Sequence, residues 1–311
     1  MFDRAVRESD AVQKKSNLLE IFMDINTSVS ALCSEIRGVY PLLRFVILEI
    51  GAVPSINRSC EPFHQLLTEF PGSKVHAFEI DENICARLNA NAVSGMTFHA
   101  KAIGRKRERH PLYITNHPMC SSLYTPNQQL MSQFNNMETN YLKETKSIDT
   151  ISIDDFTEAE KIQTVDFIKI DIQGAELDAF MGAPKSLPGT LAIVTEVEFI
   201  PLYKNQPLFR DVDAYLEKNG FMFHKFFTLR GRALKPITIH NNPNHPSWHF
   251  LCDAMFVRQL ADWETMDPAS LLKLAILAYI YESPDICFRC LEIYDNMQQT
   301  QLHKFLLNSC M

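Results

Sequence analysis

The chain has no surplus of positive charge. Its 311 residues include 30 Lys and Arg against 37 Asp and Glu, a formal net charge of -7. That balance argues against nucleic acid or an anionic membrane surface as the main partner, since both call for a dense cationic face. The single basic run, Arg105–Arg109, follows Gly104 and reads as a solvated loop rather than a phosphate patch. A long apolar run is missing too. Leu271–Tyr281 falls well short of the roughly 20 residues that cross a bilayer, so no membrane span is expected. The opening MFDRAVRESDAVQKK is charged and lacks the apolar core of a secretory signal, which makes a soluble, cytoplasmic protein the expectation. Eight cysteines without regular spacing speak against a disulfide framework and for reduced core thiols. Cys287 and Cys290 form a CxxC, but no second pair or histidine pattern completes a zinc site. Their spacing places both on one face of a helix.

What is present is an alternation of apolar runs and helical patterns. Phe45–Ile50 reads as a buried strand, Ser59–Phe70 as a helix broken by Pro71-Gly72, and Val75–Ile80 as a second strand. Glu82–Ala92 returns as a helix, and Met96–Ala102 is a third strand ended by Gly104. Strand–helix repeats this short predict an α/β fold with a parallel, doubly wound sheet. From Pro111 to Phe156 the pattern loosens: a short strand at Leu112–Thr115, a loop at His117–Pro126 and a helix over Gln128–Tyr141, forming an insertion over the pocket. Val165–Ile170 and Leu191–Val197 are the fourth and fifth strands, and Leu208–Asn219 is a helix stopped by Gly220. Phe221–Phe227 and Phe250–Val257 close the sheet as a hairpin, the last strand antiparallel, joined by a loop that Pro236, Pro243 and Pro246 keep out of a sheet interior. Three regions follow. Residues 1–40 are an N-terminal helical segment resting on Val12, Leu18, Leu19, Phe22, Met23 and Ile25; residues 41–259 are the sheet domain; residues 260–311 are a helical appendage. In the appendage Pro268–Tyr281 and Pro284–Met297 read as amphipathic helices, with a shorter one to Leu307, open to a protein partner or to self-association.

The chemistry gathers at strand ends, where open parallel sheets bind ligands. Val165–Met181 runs from an apolar strand into Asp171, Gln173 and Gly174 and then into a helix. The first strand ends on Glu49, and its turn keeps Gly51 and Ala52 but only one of the three glycines a dinucleotide pyrophosphate needs, while Pro54 removes an amide donor. NAD and FAD are disfavoured. S-adenosylmethionine carries no phosphate and needs close backbone approach plus a carboxylate, which this turn supplies. Glu79 ends the second strand where it can accept from both ribose hydroxyls; Ile80 lines the adenine cleft and Ala102 and Ile103 its other side. A hydroxyl acceptor needs a base, and the candidates are Asp171, Glu196, Glu198, His224 and His249, with Asp171 placed first and a histidine second. The catalytic expectation is Asp171, Glu196 and His224. Asp171 with Glu196 or Glu198 allows a divalent cation to orient a diol, though no metal is favoured.

KIDIQGAE, Lys169–Glu176, resembles the K-I-D-V-[EQ]-G-x-E segment of the FkbM family of S-adenosylmethionine-dependent methyltransferases. HAFEIDEN at His76–Asn83, AKAIGRKRERHPLYI at Ala100–Ile114, SSL at Ser121–Leu123, SIDTISIDDF at Ser147–Phe156 and TEVEF at Thr195–Phe199 follow in the family's order. The resemblance implies a class I methyltransferase fold, Rossmann-like, with a mostly parallel seven-stranded sheet whose last strand is antiparallel. It also implies methyl transfer to a hydroxyl of a sugar, glycan or secondary metabolite. Glu49, Gly51 and Glu79 map onto the family's cofactor positions, and Asp171 lies beside the reaction centre. The first turn departs from the family's D-x-G-A-N-x-G at Glu49, Val53 and Ser55. The alternative expectation is therefore a catalytically impaired module of the same fold that acts as a binding protein or scaffold.

Overall fold

A computed structural model of the chain describes residues 29–52 and 61–308. The helix expected on Val12 to Ile25, the first turn beyond Ala52 and the start of the helix expected from Ser59 lie outside the described residues. The described residues divide into two compact units, one of residues 44–52 and 72–260, the other of residues 29–43, 61–71 and 261–308.

Among the described residues the first unit holds eleven strands: β1 (Val46–Ile50), β2 (Lys74–Glu79), β3 (Met96–Ala100), β4 (Ala102–Ile103), β5 (Glu108–Thr115), β6 (Leu142–Ile151), β7 (Phe167–Ile170), β8 (Ala192–Glu198), β9 (Phe221–Phe226), β10 (Arg230–Arg232) and β11 (Trp248–Arg258). The main sheet runs β3-β2-β1-β7-β8-β11, with β9 and β10 both on the outer side of β11. β1, β2, β3, β7 and β8 are parallel, whereas β11 is antiparallel to β8, β9 and β10. This is the expected class I methyltransferase architecture with the three-residue β10 added. The central strands form where they do because both faces are covered. Leu48, Ile50, Phe78, Ile168, Ile170 and Ile193 enter one core together with Phe156, Phe180 and Phe256.

Four expectations change. The run Met96–Ala102 is two strands, because Lys101 N–H turns back to the His99 carbonyl at 2.9 Å. β4 then leaves the main sheet and pairs with β6. Leu112–Thr115 is the end of an eight-residue strand, paired antiparallel along the ten-residue β6. Gln128–Tyr141 is helical only at Gln128–Met131 and in one 3-10 turn, Glu138–Asn140. Asn136 interrupts it at φ 54°, and Met131, Phe134 and Met137 instead pack with Leu202, Tyr203 and Phe250.

The fourth change lies in the second unit. Helix Pro268–Ile280 is not amphipathic: Leu271, Leu272, Leu274, Ala275, Ile276, Leu277 and Ala278 are all fully buried, so its whole girth is covered. The same unit contains helices Val29–Val39, Leu66–Glu69, Pro284–Gln298 and Leu302–Asn308. Arg37 ties two of these by donating to the Glu69 carbonyl and carboxylate at 2.6 and 2.5 Å. Asp295 caps the last helix, accepting from Leu302 N–H and His303 N–H at 2.8 Å each. Cys287 and Cys290 are both fully buried, as is Cys33, whose thiol burial pushes up to about 12. No helix among the described residues is long and apolar enough to cross a membrane.

Candidate active site

Period-two alternation sorts the central strands. Since Leu48, Ile50, Phe78, Ile168 and Ile170 enter the core on one face, Glu49, Glu79, Lys169 and Asp171 go to the other. Glu49 stands beside Ala77 and Lys169 in the register, and Asp253 stands beside Glu196. The carboxyl ends of β7 and β8 thus bring acids from distant parts of the chain onto one edge.

Three of them converge. Asp171, Glu176 and Glu196 each offer an oxygen within 4.8 Å of the others. The turn after β7 makes this possible: Gln173 and Gly174 adopt φ values of 58° and 98°. Glycine takes this left-handed conformation freely, but glutamine pays about 1–2 kcal/mol for it. The neighbours hold Gln173 there. Its Nε2 donates to Asp171 Oδ1 at 2.9 Å and to Glu196 Oε2 at 2.6 Å. Its carbonyl accepts from the Ser122 hydroxyl at 2.6 Å. The buried Tyr203 hydroxyl lies 3.0 Å from Gln173 Oε1 and 2.8 Å from the Cys120 carbonyl, each an acceptor for its proton. An oxygen set of this kind suits a hard divalent cation, yet the Gln173 amide already stands between two of the three carboxylates.

The electrostatics follow from burial. Glu196 and Glu198 are almost fully buried, and burial, reinforced by their acidic neighbours, holds both carboxyls well above the usual range. Burial first, and the charge of Asp171 after it, pushes Glu176 up to about 7; its Oε1 accepts from Ile172 N–H at 2.8 Å. Glu198 Oε1 is buried with no hydrogen-bond partner. Partial compensation comes from Arg230, 3.5 Å from Glu196 Oε1 and 3.1 Å from Asp253 Oδ2, and from Lys169, 3.1 Å from Asp253 Oδ1.

The other expected positions fall as follows. Gly51 has φ 84°, and a Cβ there would overlap the carbonyl oxygen of Asp171, so the β1 turn and the end of β7 touch through backbone alone. Asp171 N–H donates to the Ile50 carbonyl and Ala52 N–H to the Phe78 carbonyl, each at 3.0 Å. Glu49 and Glu79 are buried at their strand ends; Glu79 Oε1 accepts from Asp81 N–H at 2.9 Å, and burial raises its pKa. Ile80 is exposed. Ala102 and Ile103 lie on β4, with Ile103 a core residue against Phe78, Ile153 and Phe156 rather than an open cleft wall. His224 is not brought to the carboxylates. It lies on the outermost strand β9, and β11 intervenes between that strand and β8. His249 is the second residue of β11 and is exposed. The sequence alone does not point to Glu176, Tyr203, Cys120 or Arg230 as site residues. Of the four, Glu176 alone carries a sequence signal, its place in the Lys169–Glu176 motif.

The family model described as the methyltransferase FkbM domain matches residues 49–223, more than half of the chain. No curated protein gave a match. Among solved structures, the chain is similar to a putative methyltransferase from Thermoplasma acidophilum (10% identity, TM-score 0.31, covering 70% of this chain and 69% of that one). It is similar to the 23S rRNA methyltransferase ErmE (10% identity, TM-score 0.30, 81% and 78%). A third likeness is the Burkholderia thailandensis 1,6-didemethyltoxoflavin-N1-methyltransferase with bound 1,6-didemethyltoxoflavin and S-adenosylhomocysteine (13% identity, TM-score 0.30, 82% and 88%).

Proposed function

The chain belongs to the FkbM methyltransferase family, and on that premise we propose that it transfers a methyl group from S-adenosylmethionine to a hydroxyl of a sugar, glycan or other secondary metabolite. One observation carries the reading: Asp171 and Glu196, from two different strand ends, are fastened to a single Gln173 amide beside the Gly51 turn. The residues at the ends of β1 and β2 fit the donor. Gly51 and Ala52 offer bare backbone, and Glu79, gripped by Asp81 N–H, retains acceptor capacity for two ribose hydroxyls. When bound, S-adenosylmethionine supplies an electrophilic methyl with a thioether leaving group.

The chain's own part is positioning and proton removal. Asp171 takes the proton that the acceptor hydroxyl gives up, a contribution of about 10^2- to 10^4-fold. Glu196, whose carboxyl burial and its acidic neighbours hold well above the usual range, is a positioning residue that fixes Gln173 and through it Asp171. His224 has no part in this proposal, because β11 separates its strand from β8.

The test is calorimetric titration with S-adenosylmethionine, S-adenosylhomocysteine and NAD, followed by radiolabelled methyl transfer to hydroxylated acceptors. Saturable binding of the first two alone is expected. In Asp171→Asn turnover should fall by about 10^2-fold or more, with cofactor affinity nearly unchanged. Silence from every nucleotide would defeat the enzymatic reading and favour a non-catalytic module of this fold.

A further inference from the structure

β10 lies along the start of β11, with Arg230 opposite Leu251, Gly231 opposite His249 and Arg232 opposite Trp248. Gly231 permits this approach, since a Cβ there would overlap the carbonyl oxygen of Trp248. The strand carries two guanidinium groups two residues apart, and their circumstances differ. Arg230 is paired with Glu196 and Asp253. Arg232 forms no ion pair with a carboxylate among the described residues. Its Nε is buried without a hydrogen-bond partner, and Nη1 donates only to the Gly231 carbonyl, at 2.7 Å. The charged-group influence on it comes from Cys120, whose thiol burial and the charge of Asp171 push up from its ordinary value. A half-buried cation without a counter-anion is costly, and burial accordingly pulls the Arg232 pKa below its ordinary value.

The engaged Nη1 leaves Nε and Nη2, which share one edge of the guanidinium plane and form the parallel donor pair that an oxyanion takes side-on. Trp248, the cross-strand neighbour of Arg232, is 50% exposed, with its ring edge-on to Phe134 at 5.9 Å. An aromatic face beside a guanidinium fork suits a sugar ring bearing an acid group. We propose that Arg232 binds an oxyanion on the methyl acceptor, so that the acceptor is an acidic sugar rather than a neutral one. This rests on the methyltransferase reading above and narrows its substrate class.

The experiment titrates the S-adenosylhomocysteine-loaded protein with glucuronate, glucose 6-phosphate and glucose, in the wild type and in Arg232→Gln and Arg232→Lys. In the wild type one of the two acidic sugars should bind at least about tenfold more tightly than glucose, the discrimination expected of a charge-assisted pair. Glucuronate or glucose 6-phosphate as the tighter ligand identifies the oxyanion as carboxylate or phosphate. Arg232→Gln should erase the preference and Arg232→Lys restore only part of it, while S-adenosylhomocysteine affinity, which also reports folding, stays within about twofold. Glucose bound as well as the acids, or a preference that survives Arg232→Gln, overturns the role of Arg232 and leaves the methyltransferase reading standing. Failure of S-adenosylhomocysteine to bind overturns both.

Discussion

Replacing Glu176 with glutamine probes the carboxylate cluster where its electrostatics are most exposed to measurement. Glu176 is 2% exposed and hydrogen-bonded to Ile172 N–H, and burial with Asp171 nearby raises its pKa to about 7. An unfolded chain releases the same proton near pH 4.3. Between those two values the folded protein holds a proton that the unfolded chain has lost. The associated stability is therefore complete below about pH 4 and is lost as the pH climbs to 7. A gap of two to three units amounts to roughly 3 kcal/mol, an upper bound because Asp171, Glu196 and Glu198 share the titration. Glutamine keeps the oxygen that Ile172 N–H needs and cannot ionise. In urea unfolding, Glu176→Gln should be more stable than wild type by about 1–3 kcal/mol at pH 8, a gain shrinking to a few tenths near pH 4.5. A loss of stability at pH 8 would mean that the ionised carboxylate is wanted there. A gain of equal size at both pH values would mean that its proton plays no part. Either result refutes the reasoning.

Gly51→Ala should unfold the first unit or cost more than about 3 kcal/mol, since it combines a left-handed backbone with overlap of the Asp171 carbonyl; soluble yield and urea midpoint report it. Glu79→Ala should weaken S-adenosylmethionine binding by about 10- to 100-fold in calorimetry, the loss expected of two hydrogen bonds, while leaving the melting temperature unchanged or raised because a buried acid is removed. Dialysis against EDTA should leave methyl transfer unaltered, because the Gln173 amide bridges Asp171 and Glu196 where a cation would sit. His76 Nδ1 lies 3.0 Å from His99 Nε2 beside Phe156, and burial with His99 lowers the His76 pKa to about 4. The unfolded chain takes up that proton first as pH falls below about 6.5, so stability drains away between there and pH 4. His76→Gln should flatten the slope of urea midpoint against pH over that window.

The parts of the fold that were legible share one cause. FVILEI, FIKI and LAIVTEV read as strands because strands covered on both faces leave continuous apolar runs. β6 left no such trace. Lys143, Glu144, Thr145, Lys146 and Ser147 are exposed, so the strand is held by its ladders to β5 and β4 rather than by a continuous buried face. β10 was invisible because a strand of three residues, centred on a glycine, exists only where β11 offers it an edge. The site divides in the same way. That Asp171, Glu196 and Glu79 stand at or beside strand ends is legible, because a carboxylate ending an apolar run needs only local geometry to reach a sheet edge. The place of His224 follows from topology instead, since β11 lies between its strand and β8. Arg230 shows what no local pattern can supply. It compensates Glu196 only because Asp253, the second carboxylate it grips, lies directly opposite Glu196 in the β8–β11 register. A slip of one residue would turn Asp253 to the other face of the sheet. Arg230 and Lys169 would then lose their shared partner, and four crowded acids would keep even less of their countercharge. The charge balance of the candidate active site is thus a property of strand register.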